Sequence, residues 1–126
     1  MERIKRLPDA ELSVMLAVWE TAREEPASRA QIAEKLTAKS WNAVTLNTLL
    51  MRLTERGFLE ISRNGRANCY RPLVSREEYL AAESRSLLDR LYGSSIKGFV
   101  AAMCEEHELT REELDELREY LNSVAG

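Results

Sequence analysis

The sequence predicts a mainly α chain in two parts: three helices closed by a β-hairpin, then three further helices. Three observations predict it. Apolar residues recur at helical spacing in six stretches of the 126-residue chain. Residues 58–71 break that period, and an Asn-Gly pair lies in their middle. The charge divides where the pattern does: residues 1–74 hold 12 Lys and Arg against 9 Asp and Glu, and residues 75–126 hold 6 against 12. The net charge of −3 is therefore +3 on the first part and −6 on the second.

Composition excludes several classes. At 44% hydrophobic and 31% charged residues, the chain has the make-up of a globular protein and not of a disordered one. No apolar run approaches the ~18 residues of a membrane span, so no membrane insertion is expected. The opening MERIKRLPDAEL has bases but no apolar stretch of the kind a secretory signal needs. Two cysteines, Cys69 and Cys104, make no disulfide framework, and the expectation is a cytoplasmic protein with reduced thiols. One histidine, no Gly-rich phosphate loop and no nucleophile elbow argue against an enzyme, and neither a cofactor nor a small-molecule substrate is expected.

The elements follow in order. Asp9 is expected to cap the first helix, with Glu11 in its first turn and Leu12, Met15, Leu16 and Trp19 as its inward face. Glu24-Glu25-Pro26 ends it, because proline disfavours helical geometry in the residue before it. Ser28-Arg29-Ala30-Gln31 reads as a capping box for a second helix with Ile32, Ala33 and Leu36 inward. Asn42 caps a third, whose core stripe is Leu46, Leu49, Leu50 and Leu53 and whose stop is Gly57. Two strand-like runs come next, Phe58–Ser62 and Ala67–Arg71, joined by Arg63-Asn64-Gly65-Arg66 and closed by Pro72. Asn-Gly predicts a type I′ turn, in which both central residues take positive φ. Three helices and a basic-tipped hairpin, in that order, make a winged helix-turn-helix over residues 1–74.

Residues 75–126 read as a helical dimerisation region. Ser75-Arg76-Glu77-Glu78 is a capping box, and the helix after it presents Leu80, Leu87, Leu88 and Leu91 before Gly93. Ser94 or Ser95 opens the next helix, with Ile96, Phe99, Val100 and Met103 on one face. Thr110-Arg111-Glu112-Glu113 opens the last, which carries Leu114, Leu117 and Leu121. A unit of about 50 residues buries too little of such stripes by itself, and the same stripes on a second copy complete the burial.

The third helix and the hairpin carry the chemistry. Helical spacing puts Thr45, Thr48 and Arg52 together on the outward face, with Asn42, Val44, Asn47 and Met51 around them and no acid before Glu55. Such a face suits the major groove: Arg pairs with guanine, Asn with adenine, and Thr offers a hydroxyl or a methyl. Arg63, Asn64 and Arg66 on the projecting turn suit phosphate or minor-groove contact. Residues 39–71 together carry +4. A winged helix that binds only protein would show an apolar or acidic outer face instead.

These residues resemble the BlaI/MecI penicillinase-repressor family, which has copper-responsive members of the CopY type. The likeness covers nearly the whole chain. It rests on Asp9-Ala10-Glu11 and Trp19-Glu20, on the run from Trp41 to Gly57, on Tyr70-Arg71-Pro72-Leu73-Val74-Ser75-Arg76-Glu77-Glu78-Tyr79, and on Leu114–Leu121. The resemblance implies a homodimeric transcriptional repressor on a palindromic operator, controlling β-lactam resistance or another stress-response operon. It places DNA contacts on Thr45, Thr48 and Arg52; family members often carry Lys where this chain has Val44. In the best-known members a membrane-bound sensor metalloprotease signals and the repressor is cut at an Asn–Phe bond in the fifth helix. That bond corresponds here to Ala102-Met103, a departure from the pattern at the candidate proteolytic site. Copper-responsive members use a cysteine-rich tail, whereas this sequence ends Asn122-Ser123-Val124-Ala125-Gly126. The other soft-metal pair is Cys104 and His107, three apart, read from spacing as sharing one helical face but without a further ligand pair, so no metal site is expected.

Overall fold

A computed structural model describes residues 4–126; Met1, Glu2 and Arg3, two of which enter the charge count, lie outside the described residues. The order is α1 (Asp9–Thr21), β1 (Ala27–Ser28), α2 (Arg29–Glu34), α3 (Ala43–Glu55), β2 (Leu59–Asn64), β3 (Ala67–Pro72), α4 (Arg76–Tyr92), α5 (Ile96–Glu105) and α6 (Arg111–Ala125). The chain divides into two compact units, one running through Glu83 and one spanning Ser84–Gly126.

In the first unit, α1 packs on α2, α3 and β3. All four leucines of the α3 stripe are buried, Leu50 and Leu53 completely. Full burial of a leucine contributes about 1.5–3 kcal/mol, so this stripe anchors α3 and fixes which side remains outside. The end of α3 is a Schellman motif. Gly57 takes φ +82°, its N–H donates to the Thr54 carbonyl at 3.1 Å, and the Phe58 N–H donates to the Leu53 carbonyl at 2.9 Å. Phe58 and Leu53 are both part of the buried core.

Two expectations for α1 are corrected. Pro8, not Asp9, is its N-cap residue, and no side chain caps it; proline already holds φ near −58° and Asp9 becomes the first helical residue. The buried face is Val14, Met15, Ala17, Val18 and Trp19, while Leu16 is exposed and Leu12 only partly covered. Residues 14–19 are apolar on every side, so spacing alone could not say which arc turns inward.

The sheet has three antiparallel strands in the order β1-β3-β2. Strand β1 was not read from the sequence. It is only two residues long and is defined by pairing, Ala27 opposite Tyr70 and Ser28 opposite Cys69. Ser28 also caps α2: its Oγ accepts from the Gln31 N–H at 3.2 Å, and Gln31 Oε1 accepts from the Ser28 N–H at 2.9 Å.

The core continues past Val74. Tyr79, on the first turns of α4, is 1% exposed and sits 5.8 Å from Trp19 and 5.9 Å from Phe58 between ring centroids. Its hydroxyl accepts from the Leu7 N–H at 2.9 Å, and Trp19 Nε1–H donates to the Val74 carbonyl at 2.9 Å.

The second unit has well-capped helices and little interior. Ser95 Oγ accepts from the Gly98 N–H at 2.9 Å, and Thr110 and Glu113 form the reciprocal capping box. Tyr92 meets Phe99 edge-on at 5.5 Å. No residue from Ser84 to Gly126 is buried. No helix among the described residues is long and apolar enough to cross a membrane.

Candidate nucleic-acid interface

The outward face of α3 is held open by what its inward face buries. Asn42 Oδ1 accepts from the Thr45 N–H at 2.9 Å and sets the start of the helix. Val44, Asn47, Thr48, Met51 and Arg52 are then exposed, and Thr45 is half-buried at the edge of the face. Thr48 Oγ1 donates to the Val44 carbonyl at 2.9 Å. Its proton is thus used within the helix, and what it offers outward is an acceptor and a methyl group.

Charge pairing sharpens the picture. Of the cations between Lys39 and Arg71, Arg56 is tied to Glu11 at 2.7 Å and Arg71 to Glu60. Among the described residues, Lys39, Arg52, Arg63 and Arg66 have no acidic partner. Lys39 lies 5.7 Å from the Trp41 ring centroid, within cation–π range. The neutralised cations belong to the scaffold, and those left without acids are on or beside α3 and at the hairpin tip.

The hairpin tip differs from the expected turn. Asn64 pairs with Ala67, so Gly65 and Arg66 form the two-residue turn, and only Gly65 has positive φ, at +67°. That is the pattern of a II′ turn, with glycine first. The turn therefore lies one residue later than an Asn64-Gly65 turn, which Arg63 and Arg66 would close, and the pairing shifts with it, because Asn64 can stay extended when glycine alone supplies the left-handed residue. Arg63 Nη2 donates to the Arg66 carbonyl at 3.3 Å across the tip. Arg63, Asn64 and Arg66 are all exposed.

A groove of about 750 Å³ runs between α3, the start of α2 and the hairpin. Among its walls are Arg29, Asn47, Met51, Arg66, Asn68 and Tyr70. It therefore brings Asn47 and Met51 together with the hairpin's Arg66. Asn42, Val44, Thr45, Thr48, Arg52, Arg63 and Asn64 are not on its walls. Arg29 is the residue that sequence reading missed. Its only signal was its place just after the capping Ser28, which is also where β1 pairs. Burial pushes the Tyr70 phenol up from its ordinary value, with the Asn68 side-chain hydrogen bond and the Arg29 charge acting the other way.

The predicted interface residues of the C-terminal region fall into two groups. Leu87, Leu88, Phe99, Val100, Met103, Leu114 and Leu117 are half-buried; Leu80, Leu91, Ile96 and Leu121 are exposed. Ala102 and Met103, the candidate proteolytic pair, lie inside α5 and are half-buried. The expectation that Cys104 and His107 share a helical face is corrected. Helix α5 ends at Glu105, and His107 sits beyond it at φ +56° as the left-handed residue of a second Schellman motif. In it the His107 N–H donates to the Cys104 carbonyl at 3.1 Å and the Glu108 N–H to the Met103 carbonyl at 2.9 Å. Among the described residues, no three of His, Cys, Asp and Glu are placed to hold a metal ion together.

Residues 7–123 match the family model described as penicillinase repressor. A penicillinase repressor of Bacillus licheniformis is 30% identical over 122 residues, covering 96% of this chain and 93% of the relative. The methicillin resistance regulatory protein MecI of Staphylococcus aureus (strain N315) is 27% identical over 117 residues, 92% of this chain and 93% of the relative. The solution structure of the DNA-binding domain of the repressor BlaI superposes with a TM-score of 0.51 at 30% identity, over 63% of this chain and 94% of that one. Monomeric Bacillus licheniformis BlaI in complex with the blaP half-operator gives 0.50 at 29% identity with the same coverage.

Proposed function

The chain belongs to the penicillinase repressor family, and from that premise we infer that it is a DNA-binding transcriptional repressor whose α3 enters the major groove of a two-fold operator as part of a homodimer. The observation that carries this reading is the outer face of α3. It holds an amide, a threonine hydroxyl and Arg52, no acid before Glu55, and Arg52 has no acidic partner among the described residues. In this reading Arg52 pairs with a base edge, while Arg63 and Arg66 on the hairpin contact phosphates or the minor groove.

The homodimer rests on the second unit. The later turns of α4 together with α5 and α6 have no buried residue from Ser84 to Gly126 and leave their apolar stripes half-buried or exposed, and a second copy supplies the missing cover. Joined copies would set two α3 helices about 34 Å, one helical turn, apart or a multiple of that. Repression follows from occupying promoter DNA in the cytoplasm, and release follows from losing the dimer. The regulated genes are a β-lactam-resistance or another stress-response operon, in keeping with the relatives' names. Cutting at Ala102-Met103 by a membrane-bound sensor metalloprotease would separate the stripes of α5, but requires that helix to open locally first.

Gel-shift titration of operator DNA across salt tests the reading. Affinity falls steeply as salt rises, through counterion release, and Arg52→Ala costs about 1–3 kcal/mol of binding with relaxed preference at one base pair. A chain that binds no duplex even at low salt would instead be a winged-helix protein-interaction module.

A further inference from the structure

Val44 and Met51 are 72% and 62% exposed, among the most exposed large apolar side chains of the described residues. Single exposed apolar residues are ordinary. These two, however, lie on one stripe of α3, at i and i+7, with Asn47 and Thr48 between them. Nothing in helix formation asks for them. A β-branched valine in the first turn is a poorer helix former than the Lys, Glu or Gln that would also keep that face wet.

Resting on the reading of α3 as the recognition helix, we propose that Val44 and Met51 each read a thymine by packing against its C5-methyl group. The major-groove edges of the four bases present donors, acceptors and a single kind of apolar group, which is that methyl. Valine has no hydrogen-bonding atom in its side chain and methionine only a weak sulfur acceptor, so neither can read the other edges. The middle of the stripe is polar and its two ends are apolar. Seven residues of α-helix rise about 10.5 Å. At about 3.4 Å per base step, a helix lying along the groove spaces the two thymines about three steps apart.

The test uses the full-length chain and duplexes it recovers from a random-sequence pool. Each thymine of a recovered half-site is replaced in turn by deoxyuridine, which removes the methyl and leaves the base pair. Two positions per half-site lose affinity by about fourfold each, the value of one buried methyl-sized group. In Val44→Ala the loss at one of these positions disappears, and in Met51→Ala the loss at the other does. Both side chains are exposed, so neither substitution touches the core. If the chain binds its duplexes but no deoxyuridine matters, or both variants lose as much as the parent at both positions, the methyl reading is overturned while the recognition helix stands. If no duplex is recovered at low salt, both readings fall together.

Discussion

Tyr79 shows how much one side chain decides. Its ring fills the space between Trp19 and Phe58, and its hydroxyl is the acceptor for a buried N–H on Leu7. Burial, with Glu83 beside it, pushes its phenol up to about 12, against the opposing effect of the Leu7 hydrogen bond. The folded chain therefore keeps this proton to higher pH than the unfolded chain does. Stability from this group is whole below about pH 10 and is lost as pH rises from 10 toward 12. Tyr79→Phe keeps the ring and strands the Leu7 N–H, at a cost of about 1–3 kcal/mol. In urea melts that cost shrinks between pH 10 and 12, and a pH-independent cost would show that the hydroxyl is not the titrating group. Sequence spacing could not single out Tyr79. It stands next to Leu80 but outside the leucine stripe of α4, and only the arrival of α1 makes its position interior. The same holds for Glu11, which its place in the first turn of α1 marks as a helix-dipole residue. The fold buries it, 2% exposed, against Arg56.

Elements differ in how far their own residues specify them. Helix α3 is over-determined, with an Asn42 cap, four leucines at helical spacing and a glycine stop that all agree. It was fully legible. Helix α1 is legible in extent but not in rotation, because its run is apolar all round. The hairpin was legible in existence but not in turn type, since the choice between Asn64-Gly65 and Gly65-Arg66 rests on the pairing of Asn64 with Ala67. The end of α5 carries a prediction of its own. His107 holds a left-handed conformation that a side chain disfavours and glycine accepts freely. His107→Gly should stabilise the second unit by about 0.5–1 kcal/mol, the strain relieved being partly offset by a freer unfolded chain. Thermal unfolding followed by circular dichroism measures it. A lower midpoint would mean that the imidazole makes a contact worth more than the strain.

At the scale of the molecule, the first unit has a dense core and the second has none of its own. This predicts where the chain can be cut. A fragment ending at Glu83 retains Tyr79 and should unfold cooperatively. One ending at Val74 loses that ring and should be about 3–5 kcal/mol less stable, the usual cost of deleting a large buried aromatic. Chemical denaturation of the two fragments distinguishes the outcomes, and equal stability would show that α4 adds nothing to the first core. The 83-residue fragment should also bind a two-fold operator more weakly than the whole chain. If it binds as tightly, the second unit has no part in holding two copies on DNA.

The amino-acid sequence by itself determined the helix order, the caps, the leucine stripe of α3, the basic hairpin and the division of charge. Each of these depends on neighbours within a few residues, through hydrogen bonds to adjacent backbone and a periodicity of 3.6 or 2. Tertiary structure alone decided that a two-residue strand joins the sheet, that Leu16 faces outward, that Glu11 is buried with Arg56, and that Tyr79 belongs to the first core. It also set Arg29 beside Asn47 and Arg66 on one groove. These features join residues tens of positions apart, and packing chooses among arcs and partners that local pattern leaves equivalent.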